Sequence, residues 1–495
     1  MLLSVFSTIL LILAFPNFNL SYLAFVGFVP LFFVIRSKKP KQAFWISYLC
    51  GFLFYLGTLY WLYHVTIFGL IIVCLYLALY FGIFGFLFNR IAFGLQPSAF
   101  SFFLIPLIWI GFEYLQSNLF TGFGWTLLGY SQYKNLALIQ IADFSGVYGV
   151  SFVIMMVNIG VYRFFKRSLK EIVIAGLVLA AAIGYGKIPV PKSEIWYGAR
   201  GEDKGEQGKK IRVSVVQGNI PQEMKWDPAF KDEILERYAN LTRLAAFDDP
   251  DLIIWPETSF PGFFGINKDT QEVLGLARKI DTPLLIGANT SEGLDSFNSA
   301  VLISERGKVV DRYDKIHLVP YGEYVPFSDK IPFLHRLVLG ELGEFTAGKE
   351  YKAFSLETSP VTAGGHPSPN HSRSLSRARP RGSGTGQAAF SQNIKFATLI
   401  CFEDIFPKLA RRFVQNGAEF LIVITNDAWY GRSGAPYQHA ASSVFRAIEN
   451  RIPIVRCANT GYSCFIDSRG RIYDAVEENN THLFVTGHKT STLEL

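Results

Sequence analysis

Apolar and polar positions divide the chain into two parts that meet near residue 190. In the first part, long apolar stretches are separated by short polar loops, and few charges interrupt them. A membrane-spanning helix needs about 20 mostly apolar residues. The pattern therefore predicts a transmembrane α-helical bundle over residues 1–190, with about seven spans near residues 2–15, 19–35, 42–63, 67–90, 98–117, 146–165 and 171–188.

After a stretch at 191–210 that is rich in Gly, Lys and Glu, as linkers are, the pattern changes. Short β-branched runs alternate with helical patterns, and this alternation predicts an α/β layered domain over residues 211–487. The predicted strands are 211–217, 252–255, 284–288, 299–304, 395–400, 420–425 and 453–457. The predicted helices are 228–247, 268–280, 404–416 and 436–450.

Two segments do not fit this α/β pattern. Residues 360–390 are rich in Ser, Arg, Gly and Pro and contain almost no large apolar side chain. Such a composition predicts a disordered insertion. Residues 488–495 contain no apolar stretch and are predicted to form a tail after the domain.

The composition agrees with a membrane protein that carries a globular domain. Hydrophobic residues make up 50% of the 495 positions and charged residues 18%, against roughly 25% charged residues in an average soluble domain. A disordered chain and a small disulfide-stapled protein are thereby excluded. The five cysteines include no CxxC pair, and we predict neither a metal site nor another cofactor. The net charge of +7 is concentrated in short clusters, so nucleic acid is not an expected partner.

Two clusters of basic residues predict the orientation of the bundle. They lie in the loops at 36–41 and 163–170, between the second and third and between the sixth and seventh predicted spans. Basic residues in short loops favour the cytoplasm, so the α/β domain is predicted to lie outside it. Glu113, within the fifth predicted span, is either a functional group that faces a cavity or a structural group near the helix end.

Three polar residues follow strand-like runs, and side chains at strand ends of α/β folds project into a crevice. These residues are Glu257, Lys315 and Cys401. Together they could carry out acyl transfer. The thiolate would attack a carbonyl, the carboxylate would move the protons, and the ammonium would stabilise the oxyanion. Taken alone, each has a structural alternative, because a cysteine at a strand end is often a buried apolar residue.

Longer strings around these residues resemble known families. Three strings resemble the nitrilase (carbon–nitrogen hydrolase) superfamily with its Glu-Lys-Cys triad. They are Trp255-Pro-Glu257-Thr, Tyr313-Asp-Lys315-Ile-His-Leu-Val-Pro-Tyr-Gly-Glu323 and Ile400-Cys401-Phe-Glu403. Three further strings, joined to an N-terminal bundle of spans, resemble the bacterial apolipoprotein N-acyltransferase family. They are Val216-Gln-Gly-Asn-Ile-Pro-Gln222, Thr425-Asn-Asp-Ala-Trp429-Tyr-Gly431 and Ala458-Asn-Thr-Gly461. The resemblance covers nearly the whole chain.

This resemblance implies a nitrilase-like αββα sandwich and an acyl transfer in two steps. An acyl chain would pass from the sn-1 position of a phospholipid, typically phosphatidylethanolamine, to Cys401 as a thioester. It would then pass to the α-amino group of the diacylglyceryl-cysteine of an apolipoprotein, the final step of lipoprotein maturation. Glu257 is implied as general base and Lys315 as oxyanion stabiliser. The implied location is the bacterial inner membrane, multi-pass, with the catalytic domain on the periplasmic side.

The resemblance also implies residues that support the site or bind substrate, namely Glu323, Glu403, Phe402, Trp226, Trp429 and Asn426. Glu323 would orient the lysine or line the site, Glu403 would support the nucleophile, and the two tryptophans would lie on mobile loops near the lipid entry. These assignments have structural alternatives. Glu323 could be a surface carboxylate in a turn, Trp226 and Trp429 could be core or interfacial aromatic residues, and Asn426 could form a turn after its strand. Phe402 stands where the family commonly has an aromatic residue with a hydroxyl.

Two departures from the family pattern leave other functions open. The insertion at 360–390 lengthens the connection between Lys315 and Cys401, and the tail at 488–495 lacks the last membrane span that the family normally carries. A membrane-tethered nitrilase-type amidase would use the same triad and give the acyl group to water. A catalytically inactive membrane scaffold would contain an unreactive or buried Cys401.

Overall fold

The computed structural model describes residues 2–94, 99–188, 209–266, 268–324, 345–358 and 392–495. Most of the predicted linker at 191–210 and the whole predicted insertion at 360–390 lie outside these ranges. The described part consists of a helical N-terminal region, called here the bundle, and a domain of two β-sheets flanked by helices.

Apolar helices build the bundle, in the order α1 (Leu2–Leu13), α2 (Val29–Arg36), α3 (Pro40–Thr58), α4 (Ile67–Gly94), α5 (Ala99–Asn118), α6 (Leu136–Ile139), α7 (Ala142–Phe164) and α8 (Leu169–Lys187). Within the described residues, four stretches are long and apolar enough to span a membrane: Ile67–Ile91, Phe100–Asn118, Ala142–Phe164 and Leu169–Lys187. These helices identify a membrane protein. The number of seven spans and the orientation of the bundle stay predictions.

Thirteen strands in the described residues form two sheets. They are β1 (Lys210–Gln217), β2 (Leu252–Ile254), β3 (Phe260–Phe263), β4 (Leu284–Glu292), β5 (Asp295–Ile303), β6 (Val309–Asp314), β7 (Phe354–Thr358), β8 (Gln392–Ile400), β9 (Phe420–Thr425), β10 (Ile454–Ala458), β11 (Cys464–Ile466), β12 (Ile472–Tyr473) and β13 (Gly487–Glu494). The first sheet has the order β13-β1-β2-β4-β5-β6, with β3 paired to β4, and the second has the order β12-β11-β10-β9-β8-β7. In each sheet, the central strands are parallel.

Helices cover the outer faces of both sheets. They are α9 (Gln222–Lys225), α10 (Lys231–Ala246) and α11 (Asp269–Ile280) before the chain enters the second sheet, and α12 (Pro407–Gln415) and α13 (Ala435–Asn450) after it. Side chains of a strand point alternately to its two faces. In β2, Leu252 and Ile254 accordingly pack into the core between the sheets, whereas Ile253 packs outward in the same cluster as residues of α10 and α11. The arrangement is the predicted αββα sandwich.

The C-terminal residues differ from their prediction. Residues 488–495 were expected to form a tail, but Gly487–Glu494 form β13, which pairs antiparallel with β1 from Lys210 to Gln217. The strand GHKTSTLE has no apolar run, because it lies at a sheet edge and only Ser491 and Leu493 are buried. Its backbone pairing, not a hydrophobic pattern, fixes it in the sheet.

The bundle and the sandwich share one continuous core. A single cluster of buried apolar residues runs from the bundle helices into the second sheet and α13. At the contact, Gln438 of α13 accepts hydrogen bonds from the indole nitrogens of Trp61 (3.1 Å) and Trp125 (3.0 Å) and donates to the main-chain oxygen of Pro16 (3.1 Å). The helix α13, which covers the second sheet, therefore faces the bundle.

Candidate active site

Glu257 lies just after β2, and it is buried with both carboxylate oxygens hydrogen-bonded. Its Oε1 accepts from Asn298 Nδ2 (2.8 Å) and Lys315 Nζ (3.3 Å), and its Oε2 accepts from the main-chain nitrogen of Asn426 (2.9 Å). The contacts reach it from both sheets. They fix the carboxylate where proton transfer to a neighbouring group needs no large side-chain movement.

Lys315 follows β6 and is fully buried between two carboxylates. Its Nζ lies 2.8 Å from Glu323 Oε1 and 3.3 Å from Glu257 Oε1. Burial acts to lower the pKa of Lys315, but the charges of Glu323 and Glu257 outweigh burial and raise it. The side chain therefore remains an ammonium, which is the form that stabilises developing negative charge.

Cys401 directly follows β8 and begins a short 3₁₀ turn, Cys401–Ile405. Its φ of 52° lies in the left-handed region, which is strained for a residue with a side chain. The side chain is 5% exposed, and Thr425 and Tyr430 hydrogen-bond the thiol. A sharp turn at the end of a strand thus presents the thiol to the same crevice as the carboxylate and the ammonium.

The electrostatic surroundings keep this thiol protonated. Burial, followed by the charge of Glu257, raises the pKa of Cys401, and Lys315 opposes this shift without cancelling it. Since the thiolate is the nucleophilic form, a base must take the proton as the sulfur attacks. Glu257 and Asp427 are the carboxylates whose charge raises the pKa of Cys401, and of these two Glu257 also contacts Lys315. The structure therefore brings Glu257, Lys315 and Cys401 together, as the sequence predicted.

Glu323 and Glu403 both hold the triad in place. Glu323 Oε1 accepts from Lys315 and Asn298 Nδ2 (2.9 Å), while its Oε2 accepts from the main-chain nitrogen of Val319 (2.8 Å). Glu403 is fully buried, and its Oε2 accepts from the main-chain nitrogen of Ile400 (2.8 Å).

The other oxygen of Glu403 reaches the first sheet. Its Oε1 accepts from the hydroxyl of Tyr313 (2.7 Å) and from the main-chain nitrogens of Ile316 (2.7 Å) and His317 (3.1 Å). Burial raises the pKa of Glu403 to about 7, although these hydrogen bonds oppose the shift. The side chain therefore connects the turn of the nucleophile to the segment that carries Lys315.

The remaining residues expected near the site occupy different depths. Asn426 is buried, and besides its contact with Glu257 it donates from Nδ2 to Gln222 Oε1 (2.9 Å). Phe402 is buried and stacks on Trp125 of the bundle, with ring centroids 6.5 Å apart. Trp226 is half-buried, whereas Trp429 is 40% exposed. Phe402 therefore lies on the bundle side of the nucleophile, and Trp429 lies at the surface.

A buried charged cluster under Cys401 was not predicted. The ring of His439 lies between the main-chain oxygen of Cys401 (3.1 Å from Nε2) and Asp427 Oδ1 (3.0 Å from Nδ1). Arg456 donates from Nη1 to Asp404 Oδ2 (2.8 Å). Burial acts to raise the pKa of Asp427, but His439, Arg456 and Thr425 outweigh it and lower the pKa.

Neither His439 nor His317 is placed to act as a base for the thiol of Cys401. His439 contacts the main chain of the nucleophile, and His317 Nε2 lies 3.0 Å from the main-chain oxygen of Thr121 in the bundle.

Glu113 is buried inside the bundle, where it accepts from Trp109 Nε1 (3.0 Å) and from the main-chain nitrogen of Leu128 (2.7 Å). These contacts support the structural alternative for Glu113.

Aromatic residues of the bundle form the wall of the site that faces the second sheet. Trp125 lies within 6.5 Å, between ring centroids, of Phe402, Tyr430 and His439. Trp61 contacts Tyr430 at 4.5 Å. The crevice is thus bounded by charged groups on the sandwich side and by apolar rings on the bundle side.

Family models match both parts of the chain. The model of the carbon–nitrogen hydrolases matches residues 212–487, and the model of the apolipoprotein N-acyltransferase N-terminal domain matches residues 7–160. Fold and site together define a membrane-bound protein with a carbon–nitrogen hydrolase domain. More particularly, the chain belongs to the apolipoprotein N-acyltransferase family.

Similar proteins support this assignment. The chain is 38% identical to apolipoprotein N-acyltransferase of Geobacter metallireducens, over 95% of this chain and 86% of that protein. It is 30% identical to apolipoprotein N-acyltransferase of Chlorobaculum tepidum, over 94% and 86%. It is also similar to the crystal structure of Saccharomyces cerevisiae Nit3, a nitrilase-superfamily member, with 18% identity over 58% of this chain and 90% of that one. The TM-score of that similarity is 0.37.

Proposed function

We propose that this protein is an acyltransferase that moves the sn-1 acyl chain of a membrane phospholipid to the α-amino group of the N-terminal diacylglyceryl-cysteine of a lipoprotein. The observation that carries the proposal is the convergence of Cys401, Glu257 and Lys315 in a buried crevice walled by aromatic residues of the bundle. Family membership supports it, since the relatives carry the name of this activity. We propose phosphatidylethanolamine as the donor.

In the first step, Glu257 takes the proton of the Cys401 thiol while the sulfur attacks the ester carbonyl of the phospholipid. The oxyanion of the tetrahedral intermediate is stabilised by Lys315. As the intermediate collapses, the carbon–oxygen bond to the glycerol breaks, and Glu257 returns the proton to the leaving alkoxide. The products are a thioester on Cys401 and a lysophospholipid, and no proton is gained or lost overall.

In the second step, the α-amine of the lipoprotein attacks the thioester. A new amide bond forms, the carbon–sulfur bond breaks, and Glu257 moves one proton from the attacking nitrogen to the leaving thiolate. Glu323 and Glu403 position Lys315 and the nucleophile through the contacts described above. We assign Trp226, Trp429, Phe402 and Asn426 to substrate binding.

Aminolysis competes with hydrolysis in such a mechanism, and burial of the thioester favours the amine. Cys401 is 5% exposed, and the ring of Trp125 in the bundle packs against Phe402 and Tyr430, which are neighbours of Cys401. A site that excludes water protects a reactive intermediate until the second substrate arrives. Both substrates reside in a bilayer, so we propose that the crevice opens at the periplasmic surface of the bacterial inner membrane.

A trap of the acyl-enzyme tests this function. The full-length protein in detergent receives a phospholipid with a labelled sn-1 chain, is quenched in acid, and is analysed by mass spectrometry for an acyl adduct on Cys401. Cys401→Ala removes the nucleophile, and Cys50→Ala is the matched control, because Cys50 is equally buried but lies in the bundle.

We expect an adduct on Cys401 in the wild type and in Cys50→Ala. Addition of a diacylglyceryl-cysteine peptide should remove the adduct and place the label on the peptide amine. Loss of the adduct to water alone would contradict the proposal and favour the amidase. The absence of any adduct in the wild type would contradict it as well and favour the inactive scaffold.

A further inference from the structure

A second buried lysine lies beside the triad, and the steps above do not use it. Lys225, the last residue of α9, is 4% exposed. Its Nζ donates to the main-chain oxygen of Glu257 at 2.9 Å. Within the part of the chain that the structure describes, this is the one hydrogen bond of the amine, and no carboxylate lies within 4.0 Å of it. The amine therefore has hydrogen-bonding capacity left for another group.

Lys225 and Lys315 differ in the groups that surround them. Lys315 contacts two carboxylates, whereas Lys225 contacts a neutral carbonyl. Burial lowers the pKa of Lys225 to about 7, and the neighbouring Glu257 and Cys401 oppose the shift. Among the described residues, these two are the titratable groups that act on Lys225 from other elements, and its neighbours Glu223 and Asp227 are exposed. Near neutral pH, a large fraction of Lys225 is therefore an uncharged amine.

The two steps of the proposed reaction differ in their proton balance. Thioester formation releases no proton, since the proton of the thiol passes to the glycerol oxygen. An α-amino group has a pKa of roughly 8 and is mostly protonated at neutral pH. Its conversion to an amide therefore consumes an ammonium and releases one proton overall. Glu257 transfers one proton from nitrogen to sulfur, so the proton that makes the nitrogen nucleophilic needs a second acceptor.

We propose that Lys225 is a second catalytic base, which takes the proton that the α-ammonium of the lipoprotein loses before it attacks the thioester. This inference rests on the proposed function. Lys225 is suited to the task by its place beside Glu257 and Cys401, its burial, and its freedom from a carboxylate partner. The resulting ammonium passes its proton to water when the product leaves. No co-reactant is needed, because the bond changes remain those of aminolysis.

The test separates the two steps in the full-length protein. Cys401 is first loaded from a phospholipid with a labelled sn-1 chain, and the donor is removed. The rate of discharge is then measured from about pH 6.5 to about pH 9 with two acceptors, a diacylglyceryl-cysteine peptide and hydroxylamine, which is uncharged at neutral pH. The variants are Lys225→Met and Lys225→Arg. Lys279→Met on the exposed face of α11 is the control.

We expect both variants to load Cys401 at near the wild-type rate. Discharge to the peptide should slow by about 10- to 100-fold near pH 6.5, within the range of a lost general base. The rate of discharge to the peptide should recover towards pH 9, because the peptide amine is then mostly uncharged and needs no base to remove its proton. Discharge to hydroxylamine should not change. Lys225→Arg keeps a positive charge but cannot accept a proton, so it should behave as Lys225→Met does.

Three results would overturn the inference. If Lys225→Arg transferred the acyl group to the peptide at the wild-type rate, Lys225 would act as a cation and not as a base. Equal slowing of loading and discharge would assign it a structural role, and unchanged kinetics in Lys225→Met would leave it without one. Failure of the wild-type protein to load Cys401 at all would instead refute the proposed function, so the two failures are distinguishable.

Discussion

The first sheet places charged side chains in the crevice, whereas the second sheet places them beneath the nucleophile. Glu257 and Lys315 follow strands of the first sheet and contact each other at 3.3 Å. Cys401 follows a strand of the second sheet, and His439 and Asp427 lie behind its main chain. One side of the site therefore carries the groups that transfer protons and stabilise negative charge, and the other side holds the sulfur in a strained turn.

Because of this difference, we expect substitutions on one side to change the reaction rate and substitutions on the other to change the stability of the fold. On the first-sheet side, a conservative change removes a proton-transferring group from a crevice. On the second-sheet side, it removes a contact from a fully buried cluster, where an unsatisfied polar group is costly. Substitutions on each side of the site test this division.

Glu257→Gln should slow thioester formation by about 10²- to 10⁴-fold, because the carboxylate that removes the thiol proton is lost. Burial raises the pKa of Cys401, so the thiolate gains population as the pH rises, and the residual rate should increase with pH. Quenched-flow loading with labelled phospholipid measures it. Glu236→Gln, exposed on α10, is the control. A pH-independent residual rate would argue against Glu257 as the base.

Lys315→Met should slow loading by about 10²- to 10³-fold, since the oxyanion loses a preorganised cation. It should also lower the free energy of unfolding by roughly 3–5 kcal/mol, because Glu257 and Glu323 are left without their shared partner.

A second substitution separates these two effects of Lys315. Adding Glu323→Gln to Lys315→Met removes one uncompensated charge. Thermal unfolding in detergent should then show a partial recovery of Tm, while the loading rate stays low. Parallel recovery of rate and Tm would mean that Lys315 acts only by holding the fold.

His439→Asn should act mainly on stability. The change removes a contact either to the main-chain oxygen of Cys401 or to Asp427, and a buried group left unsatisfied costs about 1–3 kcal/mol. Thermal unfolding measures the loss, with His488→Asn on the half-buried edge strand β13 as the control. A rate loss as large as that of Glu257→Gln, at unchanged Tm, would contradict the division between the two sides.

Glu403 should give the protein a shallow pH dependence of stability. Its pKa is raised to about 7 in the folded state, mainly by burial, so the stabilisation it gives is complete below its unfolded pKa of about 4.3. This stabilisation should decline as the pH rises from about 4.3 to about 7. Thermal unfolding across that range should show a smaller slope in Glu403→Gln than in the wild type. An equal slope would assign the dependence to other groups.

The sequence was sufficient for those parts of the site that lie next to strand ends. Glu257, Lys315 and Cys401 follow recognisable runs, and the structure brings them together. The alternation of strands and helices also indicated the layered sandwich. Local patterns sufficed in these cases because each residue is positioned by the element immediately before it.

Other parts depend on contacts between distant segments and left no local signal. Asn298 lies inside β5 and reaches Glu257, which follows β2, only because β2, β4 and β5 are adjacent in the first sheet. His439 is one buried residue among many on α13, and its contact with Cys401 follows from the packing of that helix under the turn. The strand β13 has a polar sequence and is fixed by pairing with β1.

The most direct test of the central claim is whether the thioester on Cys401 lies on the path of the transferred chain. In a single-turnover experiment, the enzyme, labelled phospholipid and diacylglyceryl-cysteine peptide are mixed, quenched over time, and assayed for label on Cys401 and on the peptide amine. We expect label to rise on Cys401 first and then to decay at the rate at which the peptide acquires it. Transfer to the peptide in Cys401→Ala, or before Cys401 is labelled, would contradict the claim.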